Sequence, residues 1–96
     1  MFLLMTIAEC ISEAQVKEFV RLFHDETFDL PPGSPEALVL TEHEGNMIVI
    51  QFEFSTREKL LTFGQSRSWR QFVSRSQHLL VGNYIRKIFE IRKVLV

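Results

Sequence analysis

Between Met47 and Phe54 the sequence reads Met-Ile-Val-Ile-Gln-Phe-Glu-Phe. In a strand, neighbouring side chains point to opposite faces, so Ile48, Ile50, Phe52 and Phe54 share one wholly apolar face. The opposite face, Met47, Val49, Gln51 and Glu53, is half apolar. The stretch from Phe2 to Ile11 also reads as a strand, with both faces largely apolar. A sheet built from such strands needs a cover on one side and suits water poorly on the other.

The segments between them supply that cover. Ser12-Glu13-Ala14-Gln15 fits a capping box, and Val16, Phe19, Val20 and Phe23 follow at the spacing of one helix face. Leu30 to Pro35 holds three prolines and a glycine and cannot continue a helix. Ala37–Glu42 reads as a second strand, joined to Met47–Phe54 through the turn His43–Asn46, which makes an antiparallel hairpin. Ser55 opens a second capping box, and Leu60, Leu61 and Phe63 follow before Gly64 weakens the helix. A further helical stretch is expected over 68–80, with Trp69, Phe72, Val73, Leu79 and Leu80 on one side and Gly82-Asn83 as its end. The last strand is expected over 85–96.

This order, strand–helix–strand–strand–helix–strand, predicts an α+β, ferredoxin-like βαββαβ fold with a four-stranded antiparallel sheet, over residues 1–96 as a single domain. Two helices cover one face of such a sheet. The second face would leave a large apolar patch in water, so a homodimer through the open sheet face is expected.

The chain of 96 residues has one cysteine, Cys10, so no internal disulfide forms, and Cys10 is expected to be a buried strand residue. The apolar start at Met1–Ala8 carries no Lys or Arg before it, and its run is too short for a bilayer span. A cytoplasmic protein with no membrane partner is expected. Charge is divided unevenly. Residues 1–56 hold two basic and ten acidic residues, net −8, and residues 57–96 hold nine basic and two acidic, net +7. An acidic half repels phosphate, which favours contacts between the two halves over nucleic-acid binding. The face of the third strand that would stack bases in an RNA-recognition domain carries aliphatics, so no nucleic acid is expected.

The run Phe52–Leu60, the stretch Ser66-Arg67-Ser68-Trp69-Arg70-Gln71-Phe72 and the turn Pro32-Gly33-Ser34 resemble the antibiotic-biosynthesis-monooxygenase-like family of dimeric α+β barrels. The resemblance covers essentially the whole chain. It implies a ferredoxin-like subunit paired sheet to sheet, and oxidation of aromatic compounds by molecular oxygen without a cofactor. The haem-degrading branch has an asparagine in its first strand and a histidine in its second-helix region. Here the first strand has no asparagine, Val73 lies near the histidine's place and His78 lies farther along, so no haem is expected.

The resemblance places a pocket between the second helix and the sheet. The ligand-pocket candidates are His24, Trp69, Phe72, His78 and Tyr84, flanking an apolar cleft for a flat aromatic or quinone-like molecule. As plain sequence features, Trp69 and Phe72 suit a core better than a pocket, and His24, His43 and His78 sit on separate elements without metal-ligand spacing. No catalytic acid, base or nucleophile is identified. Glu9 and Glu53 fall at opposite ends of adjacent antiparallel strands, too far apart for paired acid–base work, and each is expected to meet a basic residue such as Arg86, Arg92 or Lys93. Two functions therefore stand: a cofactor-independent monooxygenase of an aromatic or quinone-like compound, and a non-catalytic small-molecule-binding or accessory homodimer.

Overall fold

A computed structural model describes residues 1–92. The order is β1 (Phe2–Cys10), α1 (Glu13–Asp25), β2 (Leu38–Thr41), β3 (Met47–Phe54), α2 (Arg57–Gly64), α3 (Arg67–Ser76), a 3-10 turn (Gln77–Leu79) and β4 (Leu80–Glu90). The strands form one antiparallel sheet in the order β2-β3-β1-β4. This is the ferredoxin-like arrangement the sequence predicts.

The alternation in β3 sets the two faces. Ile48, Ile50, Phe52 and Phe54 are buried, and they pair across β1 with Ala8, Thr6, Leu4 and Phe2. Phe19 of α1, Leu60 and Phe63 of α2, and Trp69 and Phe72 of α3 close over them. On the other face lie Leu3, Met5 and Ile7 of β1, Val49 of β3, Leu38 and Leu40 of β2, and Ile85 and Phe89 of β4, all partly or well exposed.

As expected, the chain after β3 makes two helices, with the break at Gln65–Ser66, and the departures in the helical layer are in the caps. Ser66 starts α3 by accepting a hydrogen bond from the Trp69 backbone N–H at 3.4 Å. Thr56, not Ser55, caps α2, accepting from the Lys59 N–H at 3.2 Å. Two hydroxyl residues stood side by side there, and the one whose extended backbone leads into the first turn takes the cap. Ser12 is the N-cap residue of α1, but its hydroxyl donates to the Gln15 side chain and makes no bond to the backbone.

β4 begins at Leu80, five residues before the expected start, and Gly82-Asn83 lies inside it. Between the pairs Ile7–Ile85 and Glu9–Val81 the register shifts, and Gly82 takes a φ of +77°. Glycine adopts that left-handed backbone without steric cost, so the signal that suits a helix end also suits a bulge in an edge strand. The part of the expected last strand over 93–96 lies outside the described residues.

The connector from Glu26 to Ala37 contributes to the core. Phe28 packs against Phe23 (ring centroids 5.3 Å), Phe52 (5.3 Å) and Phe72 (5.5 Å). The Asp29 N–H donates to Ser68 Oγ at 2.9 Å, and Arg75 meets Glu26 at 3.5 Å. These contacts hold the connector against α3.

Candidate functional site: a cleft between β4 and the helices

Trp69 is the largest fully buried side chain. α3 presents it to the sheet, where its ring lies 5.4 Å from Phe52, 5.6 Å from Phe63 and 6.0 Å from Phe72, nearly parallel to the last. Among the described residues its indole Nε1–H has no hydrogen-bond partner. A buried donor without a partner is rare and unfavourable, since it has given up water for nothing in return.

Trp69 also forms one wall of a cleft of about 370 Å³. Leu4 of β1 lies on its sheet side. Leu60, Leu61, Gly64 and Gln65 supply α2 and its C-terminus, and Arg86 and Ile88 supply β4. The cleft follows from two features of the fold. β4 is an edge strand, mostly exposed beyond Leu80. The helical layer breaks at Gln65–Ser66, so cover over β1 and β4 is incomplete there.

The lining residues are apolar apart from Gln65 and Arg86, and Trp69, fully buried, brings its indole to the wall. Arg86 makes no salt bridge and no side-chain hydrogen bond among the described residues. No carboxylate or imidazole lines the cleft. An apolar cleft that holds an arginine suits a flat apolar body with an anionic group.

Of the five pocket candidates read from sequence, Trp69 alone lines this cleft. Phe72 is buried beside Phe19 and Phe28, inside the aromatic core. The His24 side chain is 87 % exposed, 3.7 Å from Asp25, and lies on a separate groove with Phe23, Glu26, Phe28 and Val39. His78 is exposed in the 3-10 turn. Tyr84 sits on the helix-covered side of β4, hydrogen-bonded to the buried Ser76 hydroxyl, with its ring 6.4 Å from Phe19. Burial pushes the Tyr84 hydroxyl from 10.0 up to about 12, against the opposing effect of the Ser76 hydrogen bond. Cys10 is buried, and desolvation raises its thiol as well, so the thiolate is disfavoured.

Arg86 was expected to meet Glu9 or Glu53. It pairs in register with Thr6 and joins the helix-side cleft, whereas both glutamates belong to the open face. Glu9 and Glu53 do lie at opposite ends, across from Met47 and Leu3. Arg92 pairs with Glu90 at 3.1 Å, and Lys93 lies outside the described residues. The signal that would have found Arg86 is strand parity: once Ile85 is set on the open face opposite Ile7, Arg86 must face the helices.

A larger cleft, of about 820 Å³, runs between α1 and the β2–β3 turn, edged by Glu13, Lys17, Glu42, His43 and Glu44. Among the described residues no three His, Cys, Asp or Glu side chains are arranged to hold a metal ion. No helix among the described residues is long and apolar enough to cross a membrane.

No protein-family profile and no curated protein matches the sequence. Solved structures do match in fold. A monooxygenase from the gene ActVA-Orf6 of Streptomyces coelicolor, in complex with nanaomycin D, superposes with a TM-score of 0.83 at 15% identity, over 99% of this chain and 90% of that one. A candidate antibiotic biosynthesis monooxygenase from Deinococcus radiodurans gives 0.75 at 14% identity, over 100% and 97%. SnoaB of Streptomyces nogalater, a cofactor-independent oxygenase, gives 0.65 at 12% identity, over 98% and 95%. The chain therefore has the fold of the antibiotic biosynthesis monooxygenases, as the sequence resemblance implied. At these identities the likeness establishes the fold alone.

Proposed function

We propose that this chain, with the fold of the antibiotic biosynthesis monooxygenases, binds a flat aromatic or quinone-like molecule in its ionised form and oxidises it with molecular oxygen. The observation that carries the reading is an apolar cleft that joins Trp69 to Arg86, the guanidinium having no salt bridge and the buried indole N–H no hydrogen-bond partner among the described residues. A guanidinium beside a bound hydroxyl favours its anion. An aromatic anion is electron-rich and is itself the group that reacts with oxygen. In such a monooxygenation of a phenolate a ring C–H becomes a carbonyl and the phenolate oxygen becomes the second carbonyl of a quinone: one atom of O2 enters the product, and the other leaves as water with the ring hydrogen and a proton. The monooxygenase and cofactor-independent oxygenase named among the structures of like fold support this chemistry.

The protein acts as a homodimer in this reading. The apolar open face, with Leu38, Leu40, Ile85 and Phe89 exposed, packs on a second copy.

A second reading has its own support. No carboxylate or imidazole lines the cleft to take a proton from carbon, which suits a protein that binds its ligand and returns it unchanged. Oxygen uptake in the presence of phenols and hydroquinones separates the two, with consumption expected for the oxygenase and none for the carrier. The shared premise is tested by calorimetric titration with 2-naphthoate. Arg86→Met is expected to weaken binding by about tenfold to a hundredfold, the size of a charge-assisted hydrogen bond. Equal binding by both proteins would remove the cleft from the account.

A further inference from the structure

Among the described residues, two buried side chains carry a polar atom with no hydrogen-bond partner: Trp69 through Nε1 and Thr6 through Oγ1. Trp69 forms the wall of the cleft. Thr6 lies on β1 facing the helices, fully buried, between Leu4 and Ala8 along the strand. Its register partners are Ile50 on β3 and Arg86 on β4. Two of its neighbours, Leu4 and Arg86, line the cleft. Thr6 thus lies one same-face strand position inward from the cleft-lining Leu4 and directly across from the cleft-lining Arg86.

Leu4, Ala8 and Ile50 around Thr6 are apolar. Valine has the same shape as threonine, suits a strand as well, and would fill this position with no polar group to satisfy. A hydroxyl buried there without a partner works against the fold.

We infer that Thr6 reads an oxygen of the ligand at the floor of the cleft, and that the ligand is a flat aromatic anion carrying a second oxygen at the edge opposite its charge. This rests on the proposed use of the cleft as an aromatic-anion site. The Trp69 N–H donates, and the Thr6 hydroxyl donates or accepts, so together they accommodate a ring carbonyl or a hydroxyl. Arg86 has the longer side chain and takes the anionic end toward solvent. Thr6 is closed off from solvent, so the ligand reaches it by shifting the side chains of Leu4 and Arg86.

The test compares 2-naphthoate with 6-hydroxy-2-naphthoate, which differ only by the oxygen at the far edge. Both are titrated into the wild-type protein, Thr6→Val and Thr6→Ser, and each protein is melted without ligand. The wild type is expected to favour the hydroxy acid by about tenfold, the worth of one net hydrogen bond in a buried site. Thr6→Val loses that preference while melting at a higher temperature than wild type, and Thr6→Ser keeps the preference. Equal binding of the two acids by the wild type, or an undiminished preference in Thr6→Val, overturns the role of Thr6 and leaves the cleft standing. A lower melting temperature for Thr6→Val shows a hydroxyl already served within the core and overturns it too. Binding of neither acid by the wild type overturns the inference and the cleft together.

Discussion

Val49 and Ile50 are neighbours in β3 and nearly the same in chemistry, yet they belong to two different surfaces. Ile50 lies under the helices, fully buried, beside Thr6 and below the aromatic group of Phe52, Phe63 and Trp69. Val49 faces the other way, in a row with Leu40, Ile7 and Ile85, of which Ile85 is 56 % exposed. Both faces are apolar, and one of them is covered within the chain. The alternation in β1 and β3 thus sets apolar side chains on a face that the chain's own helices do not cover. The covered face builds the core and, where the helices break, the cleft. In the proposed homodimer the open face packs on a second copy.

The comparison is broken most sharply by placing the same charge on each side. Ile50→Glu buries a carboxylate with no partner, a cost of several kcal/mol against a total stability on the order of 5–15 kcal/mol, so the protein is expected to lose its native circular dichroism. Val49→Glu is expected to keep that spectrum and to convert a dimer into a monomer in sedimentation. A folded dimer from Val49→Glu would remove the open face from the account of assembly.

A smaller effect sharpens the covered side. Tyr84 is the only tyrosine, so the absorbance of ionised tyrosine reports it alone. With its hydroxyl raised to about 12 in the fold, both folded and unfolded states are protonated below about pH 10, and its contribution to stability is complete there. As pH rises toward 12 the unfolded chain ionises first, and stability falls. Cys10, raised by burial, acts with the same sign. The tyrosine titration is expected to show a midpoint well above 10, and Tyr84→Phe is expected to flatten the alkaline decline in melting temperature. A midpoint near 10 would mean that the Ser76–Tyr84 contact under α3 is open to water.

The sheet was legible in the sequence because a period of two is hard to mistake over eight residues, as in Met47–Phe54, and α1 was legible from the spacing of Val16, Phe19 and Phe23. The start of β4 was not, because Gly82-Asn83 serves a helix end and a strand bulge equally. Phe28 sits in a connector with no periodicity to mark it, yet touches three core aromatics at under 6 Å. The cleft was half legible. Trp69 lay on a readable helix face, whereas Arg86 and Thr6 came into view only through the pairing of β1 with β4, which local sequence does not encode. His24, His78 and Tyr84 are residues of a kind that often bind ligands, but the helix turns and strand parity that place them send them elsewhere.

The most direct test of the central claim, that the open face of the sheet is made for a second copy, is native mass spectrometry of the freshly purified protein at micromolar concentration. A species at twice the chain mass of 11.3 kDa is expected. A single peak at the chain mass would contradict it: the exposed row of Leu40, Val49, Ile7 and Ile85 would then not be a self-interface.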